Sequence, residues 1–245
     1  MYQIKLSTVK KYAYWIQYLV DAIKNEMQRM GGIYAQQISG QRFCVCFAAE
    51  TVKKNKLKYI LAEALADLFV FIEKRAYFLN VLNIRFCDNL SRDMLINTLS
   101  NFNSDEERSY ILSKLRFSGD FNIDGFYHFA LRDLRSEWRA SAKMIKDNAD
   151  LVSQEDTFNI ILKFLLSGIE AKNKIIAVDK CERGYTLTPC GQESKADIFS
   201  PDQLLMKLIS IAPEKVILND NITDTRLKRK LSGIFCIGEE HCEKL

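Results

Sequence analysis

Apolar positions near the start of the chain follow two spacings that predict different elements. The opening YQIKL alternates apolar and polar residues as a strand does. From Val9 to Met30 apolar residues recur every three or four positions, which is typical of a helix, and two glycines end it. Two short apolar runs that turn at Ser39 and Gly40 then predict a hairpin. The chain is therefore predicted to begin with a strand, a helix and a hairpin.

Helical spacing dominates the middle of the chain. It runs from Leu57 to Leu79 and predicts a helix at the centre of the core. Two shorter helices follow, and Ser104 with Glu107 matches a capping box at the start of the second. From Gly125 the apolar residues again fall at three-, four- and seven-residue steps, with Asp124 predicted to cap the first turn. The segment EDTFNIILKFLLSGIEA predicts one more helix.

After Lys172 the pattern changes to short strands that alternate with helices. KIIAVD and YTLTP predict strands around Gly184, and KVILND and IFCI predict two more. Between them, Ser200 and Pro201 open a helix in SPDQLLMKLISIA, and TDTRLKRKL forms a shorter one. Strands that alternate with helices favour a small α/β unit with some parallel pairing.

We therefore predict an α+β, mostly helical protein. Residues 1–119 form the N-terminal strand, helix, hairpin and helical region, residues 120–172 a helical region, and residues 173–245 a C-terminal α/β unit. Flexible linkers are usually rich in glycine or proline, and the chain has only ten glycines and three prolines. We therefore expect the segments to contact one another or to form one compact domain.

Composition narrows the classes of protein that remain. The hydrophobic content of 48% suits a globular chain, and a net charge of +4 permits a polyanionic partner without requiring one. The longest apolar run, Tyr59 to Ile72, is too short to span a bilayer and contains two acidic residues. No leader pattern opens the chain, and seven cysteines lack a repeating spacing. We expect a cytoplasmic protein with reduced thiols.

Motifs for catalysis do not appear in the sequence. There is no G-x-S-x-G nucleophile elbow, no G-x-x-x-x-G-K-[ST] loop and no G-x-G-x-x-G loop. His128 is isolated, so we predict a hydrogen-bonded or exposed histidine, with Asp124 as a neighbour. Glu63 and Asp67 lie four apart on one helical face, where exposure or pairing with lysines is expected. We predict no catalytic residue and no cofactor.

Several cysteines are candidate metal ligands. Cys236, His241 and Cys242 lie near the C-terminus, but their spacing departs from the tight pairs of structural zinc sites. Cys181 and Cys190 are separated by eight residues, which is also too far for a zinc knuckle. We predict that these cysteines are buried or incidental and that there is no metal site.

A basic segment near the C-terminus suggests a second kind of function. In TDTRLKRKL, Leu227 and Leu231 lie four apart on one helical face, so the basic residues project away from the core. Such a face can follow a phosphate backbone, although glutamates follow it closely and the net charge is modest. The residues predicted for this alternative, nucleic-acid binding, are Arg226, Arg229 and Lys230.

Two stretches resemble the YtxC-like family of sporulation proteins from spore-forming Firmicutes. One is IDGFYHFALRDL, which follows a family pattern of glycine, phenylalanine, two residues and phenylalanine before a basic helix. The other is LLMKLISIAPEKVIL, which is similar to a helix-to-strand segment with its SIAP junction. The chain departs from the family at Ala130, where the family has an arginine; the first arginine here is Arg132.

This resemblance implies a process rather than a reaction. It predicts a sporulation-related, non-catalytic factor that acts through an unknown protein partner, with no cofactor or catalytic residues to carry over. The binding residues that it implies are Gly125, Phe126, Phe129 and Arg132.

Overall fold

The structure is a computed structural model, and it describes residues 1–82, 88–170, 175–190 and 197–238. Of the described residues, 61% are helical and 21% are in strands, so the predicted α+β, mostly helical class is confirmed. The chain forms two compact units, each built from two segments. Unit 1 is Met1–Ala76 with Asp105–Ser141, and unit 2 is Tyr77–Ser104 with Ala142–Leu245. Continuous segments were predicted, whereas each unit combines distant parts of the chain.

Unit 1 contains a four-stranded sheet with the strand order β2-β3-β1-β4. The strand β1 (Tyr2–Val9) pairs antiparallel with β3 (Arg42–Ala49) and parallel with the short β4 (Asp120–Asn122). The predicted hairpin is confirmed: β2 (Ile33–Ser39) pairs antiparallel with β3. Its turn has Gly40 at φ 59, a conformation that glycine adopts without steric cost.

Helices cover one face of this sheet. α1 (Ala13–Arg29) follows a 3₁₀ turn and packs against β1, β3 and α2 (Lys54–Asp67). After α2 the chain continues through a π-helical segment, Leu68–Glu73, into α3 (Lys74–Val81). The core helix predicted from apolar spacing is therefore confirmed. Its fully buried residues include Leu57, Leu61, Leu65, Leu68 and Phe69.

The remaining helices of the middle region follow the predicted order. The structure also contains a second π-helical segment, Phe126–Ala130, which apolar spacing alone did not predict. The α-helices are α4 (Asn89–Asn101), α5 (Ser104–Lys114), the short α6 (Ile123–Gly125), α7 (Arg132–Asp147), the short α8 (Ala149–Val152) and α9 (Glu155–Ser167).

Unit 2 contains a five-stranded sheet with the order β7-β6-β5-β8-β9. The strands are β5 (Ile175–Cys181), β6 (Gly184–Pro189), β7 (Ile198–Phe199), β8 (Lys215–Leu218) and β9 (Ile237–Gly238). The pairs β5–β8 and β8–β9 are parallel, and β5–β6 and β6–β7 are antiparallel. The strands predicted in KIIAVD, YTLTP and KVILND and the partly parallel pairing are confirmed. Of the predicted strand IFCI only Ile237 lies in β9, because the last helix extends to Ile234.

Two helices accompany this sheet, α10 (Pro201–Ile211) and α11 (Thr225–Ile234). The predicted cap of α10 is confirmed: the Gln203 N–H donates to Ser200 Oγ at 3.4 Å, and the Ser200 N–H donates to Gln203 Oε1 at 3.0 Å. These reciprocal bonds satisfy two main-chain donors that the helix itself leaves without partners.

Two predicted caps are wrong. Glu107 does not reach back to Ser104, because its Oε1 accepts hydrogen bonds from Lys74 and Trp138. Asp124 does not cap the turn that begins near Gly125; Asn122 does, accepting from the Gly125 N–H at 2.9 Å. In both cases a long-range partner takes the acidic group, and local spacing carries no information about such partners.

The acidic pair considered in α2 is satisfied within unit 1. Arg108 donates from Nε to Asp67 Oδ1 at 2.8 Å and from Nη2 to Glu63. The expected pairing is therefore present, with an arginine in place of the predicted lysines.

Among the described residues, no helix combines the length and the apolar character needed to cross a membrane.

Candidate functional site

The GFYHF motif of unit 1 lies on the π-helical segment Phe126–Ala130. The Leu131 N–H donates to the Phe126 carbonyl at 3.2 Å, a bond that spans five residues. Gly125 precedes the segment, and a Cβ there would lie 3.1 Å from Asn122 Cγ. Glycine thus leaves room for the capping amide of Asn122. π-helical turns are rare and occur frequently at functional sites, since they redirect side chains relative to an α-helix.

Aromatic residues of the motif divide between the core and the surface. The ring centroid of Phe126 lies 5.4 Å from that of Phe121 and 6.0 Å from that of Phe69. Tyr127 stacks on Phe69 and contacts Trp15 edge-on, with ring centroids 5.3 Å apart in both pairs. Phe129 points the other way and is 83% exposed.

The four residues implied by the resemblance are therefore not equivalent in their surroundings. Gly125 and Phe126 shape and anchor the turn, while Phe129 and Arg132 are exposed to solvent. Phe129 lies in the π-helical segment, and Arg132 is the first residue of α7, three positions further along the chain. The accessible part of the motif consists of one aromatic and one cationic side chain.

His128 joins two elements of unit 1 and is hydrogen-bonded, as predicted. Arg135 Nη1 donates to His128 Nδ1 at 3.1 Å, which makes Nδ1 an acceptor. The other ring nitrogen, Nε2, then carries the hydrogen and donates to the Tyr12 hydroxyl at 3.3 Å. Burial and the nearby Arg135 cation lower the pKa of His128. The ring is neutral at pH 7 and acts as a structural bridge.

A buried carboxylate lies beneath this motif. Glu73 accepts a hydrogen bond from Trp15 Nε1 at 2.5 Å and another from the Tyr14 hydroxyl. Burial and the Glu73 charge raise the pKa of Tyr127 to about 12, and they raise that of Tyr14 as well. Both phenols stay protonated at physiological pH, so this group of residues serves as a fixed hydrogen-bonded core.

An ion pair next to Glu73 is the most deeply buried charge pair described in unit 1. Lys74 Nζ lies 2.9 Å from Glu107 Oε1, and the two side chains are 2% and 10% exposed. Trp138 Nε1 donates to the same oxygen at 3.1 Å. Burial lowers the pKa of Lys74 and raises that of Glu107, because each charged form loses hydration. Apolar spacing did not predict this pair; the signal in the sequence was the placement of Glu73 and Lys74 inside an apolar helix.

The basic residues predicted on α11 lie in unit 2, along one cleft of about 560 Å³. Leu227 and Leu231 are buried, as predicted, so the basic side chains project away from them. The cleft is lined by Arg226, Arg229 and Lys230 together with Asp88, Ser91, Met94, Val152, Ser153, Glu155, Phe158, Asn159, Thr225 and Ile234.

The three cations make no close polar contact with the fold, although the Lys230 charge helps to lower the pKa of Asp88. Arg226 and Arg229 are exposed and Lys230 is half-buried. Within the part of the chain that the structure describes, none of these three side chains forms a hydrogen bond or an ion pair. The cleft therefore presents positive groups that are free to bind an anion.

Helix ends add to the positive potential of the cleft. α4, α9 and α11 each contribute residues of their first turns to its lining, and helix N-termini carry a partial positive charge. Asp88 offsets part of this charge; it caps α4 by accepting from the Ser91 N–H at 2.6 Å, which lowers the pKa of its carboxyl group. Glu155 is a second acidic residue of the lining.

The structure places some of the cysteines that were candidate metal ligands. Within the described residues, no three His, Cys, Asp or Glu side chains come together to hold a metal. Cys236 is free and exposed, and the other two terminal candidates, His241 and Cys242, lie outside the described residues. Cys181 is free, whereas Cys190 is disulfide-bonded, so the expectation of reduced thiols is wrong for Cys190.

Comparisons with family models, with curated proteins and with solved structures gave no match to this chain.

Proposed function

We propose that this protein is a non-catalytic cytoplasmic factor that acts during sporulation by binding a protein partner. The observation that carries the proposal is the exposed ring of Phe129, which lies on the same turn as Tyr127, whose ring is packed in the core. Rigid aromatic side chains that are exposed in the free protein are typical anchors of protein interfaces. The process itself is inferred from the resemblance of the GFYHF motif.

Arg132 supports the same assignment. It is exposed three positions after Phe129, and arginine is enriched at protein interfaces together with aromatic residues. Gly125 and Phe126 contribute indirectly, because they fix the turn that presents Phe129. The partner surface that fits this pair has an apolar pocket beside an acidic group.

Deletion and complementation in a spore-forming bacterium that carries this gene test the proposal. Loss of the gene should lower spore yield without slowing vegetative growth, and the Phe129→Ala variant should fail to restore the yield. Phe164→Ala is the matched control, because it removes an exposed phenylalanine of unit 2. Normal spore yield in the deletion strain would contradict a role in sporulation. Full rescue by Phe129→Ala would show that Phe129 is not part of the surface that binds the partner.

A second candidate function, nucleic-acid binding, is favoured by the cleft of unit 2. Its support is the convergence of Arg226, Arg229 and Lys230, whose side chains form no hydrogen bond or ion pair with the described residues. Lysine and arginine that neutralise phosphates release counterions, which makes such binding strongly dependent on salt. The acidic side chains of Asp88 and Glu155 limit how closely a phosphate backbone can enter the cleft.

Fluorescence anisotropy with single- and double-stranded oligonucleotides tests this candidate. Binding should fall steeply between about 50 and 200 mM salt. Reversing the charge at Arg226, Arg229 and Lys230 should abolish it, while reversal at three exposed lysines that do not line the cleft should leave most of it. These control lysines are Lys143, Lys146 and Lys163. Equal losses in both variants would assign the effect to net charge and reject the cleft.

A further inference from the structure

Strand β2 is an edge strand of the unit 1 sheet, and its outer side is open. All seven residues of β2 are exposed, including the apolar Ile33, Tyr34 and Ile38. The strand sequence IYAQQIS contains no charged residue and no proline. Edge strands of monomeric proteins are usually protected by lysines, prolines or bulges. The β2 edge has neither charge nor proline and is therefore suited to pair with another strand.

The hairpin register shows which main-chain groups face outward. Ser39 and Arg42 flank a two-residue turn, in which Gly40 has the positive φ that a type II′ turn requires. This turn closes on a hydrogen-bonded pair, and antiparallel pairs then alternate between bonded and non-bonded. The non-bonded positions of β2, whose N–H and C=O groups point away from β3, are Tyr34, Gln36 and Ile38.

We propose that β2 pairs antiparallel with β2 of a second copy of this chain, about a two-fold axis at Gln36. In that register Gln36 lies opposite Gln36 of the second copy, and Tyr34 lies opposite Ile38. The three outward positions thus meet one another, so their main-chain donors and acceptors form a complete ladder. The two four-stranded sheets become one continuous sheet. This inference is independent of the function proposed above.

Self-complementarity of the side chains favours a second copy over another protein. Tyr34 and Ile38 pair in register with Phe47 and Phe43 of β3, so both lie on the face of the sheet that carries those rings. They are 44% and 63% exposed, and the two-fold axis places each of them opposite the other. The uncharged strand meets its copy without repulsion. A two-fold contact of this kind is closed and stops at a dimer.

Sedimentation velocity on the full chain tests the proposal, at concentrations from about 1 to 100 µM, which bracket micromolar affinity. The wild-type chain should shift from monomer to dimer across this range. Gln36→Lys places two lysines directly opposite each other and should weaken the dimer by about ten-fold or more. Val52→Lys adds the same charge at an exposed apolar residue of unit 1 outside β2, and it should dimerise as the wild type does.

Charge exchange at the axis identifies the register. Gln36→Glu alone should also weaken the dimer, whereas an equimolar mixture of the Gln36→Lys and Gln36→Glu chains should form heterodimers. Only a register in which position 36 faces itself predicts this rescue. A wild-type chain that stays monomeric at about 100 µM would overturn the proposal and leave the edge for a strand of another protein. A Gln36→Lys chain that dimerises like the wild type would also overturn it.

Discussion

Polar groups in the motif of unit 1 and in the cleft of unit 2 are used in opposite ways. Around the motif, Glu73, His128 and Arg135 all have partners, and the Lys74–Glu107 pair is buried. In the cleft, the side chains of three cations form no hydrogen bond or ion pair with the described residues, and only Lys230 acts on a carboxylate, Asp88, through its charge. A polar group that the fold satisfies contributes to stability, and one that it leaves free is available for a ligand. Removal of each kind should therefore have different consequences.

The largest effect is expected at the buried ion pair. Lys74→Met leaves the Glu107 carboxylate buried without its counter-charge, which should reduce the free energy of unfolding by about 3–5 kcal/mol. Urea unfolding followed by tryptophan fluorescence measures this loss, since the only two tryptophans of the chain lie in unit 1. Trp138 donates to Glu107 of the pair, and Trp15 donates to Glu73, the residue before Lys74.

Two comparisons make the ion-pair prediction specific. Lys24→Met breaks an exposed pair with Asp21 and should cost no more than about 1 kcal/mol. The double variant Lys74→Met with Glu107→Leu should recover much of the lost stability, because it removes both charges. Similar losses for Lys74→Met and Lys24→Met would show that the buried pair is not what holds unit 1 together.

A smaller effect is expected at the turn that presents Phe129. Asn122→Ala removes the cap from Gly125 and the acceptor of an Arg42 hydrogen bond of 2.7 Å, and it should cost about 1 kcal/mol. Asn148→Ala is the control, because Asn148 precedes α8 without a side-chain cap bond and makes only an exposed bond, from Nδ2 to the Met144 carbonyl at 2.8 Å. Thermal unfolding of both variants measures the difference. An Asn122→Ala variant as stable as the Asn148→Ala control would reject the cap.

The histidine bridge should make the stability of unit 1 weakly dependent on pH. The pKa of His128 is lowered in the folded state, so its contribution is complete above the unfolded value of about 6.5 and is lost as pH falls through the folded value. Solvent screening keeps the change well below about 1 kcal/mol. The free energy of unfolding, measured between pH 7.5 and 5.5, should show this loss in the wild type and not in His128→Gln. A loss of the same size in His128→Gln would mean that another titrating group causes it.

Sequence patterns predicted the elements better than their partners. The helices, the hairpin and the Ser200 cap depend on neighbours in the chain, and these predictions were confirmed. The caps assigned to Glu107 and Asp124 were wrong because Lys74 and Arg42, far away in the sequence, bind those carboxylates. The pairing of β1 with β4, which makes unit 1 discontinuous, is equally non-local.

The candidate sites were also predicted only in part, because sequence patterns do not show which distant residues come together. The amphipathic pattern of α11 correctly placed Leu227 and Leu231 inside and the basic residues outside. It contained no information on the cleft, since α4 and α9 supply the opposing residues from other parts of the chain. In the GFYHF motif, spacing did not separate the buried Tyr127 and the half-buried Phe126 from the exposed Phe129, because a π-helical turn changes the period.

The most direct test of this comparison is the free energy of unfolding of the triple variant Arg226→Gln, Arg229→Gln, Lys230→Gln. If these cations are free for binding, their neutralisation should change stability by no more than about 0.5 kcal/mol, since surface groups without partners contribute little. Urea unfolding followed by circular dichroism, which reports both units, gives the value. A loss of about 2 kcal/mol or more would show that the cleft cations hold the fold together and would contradict the account.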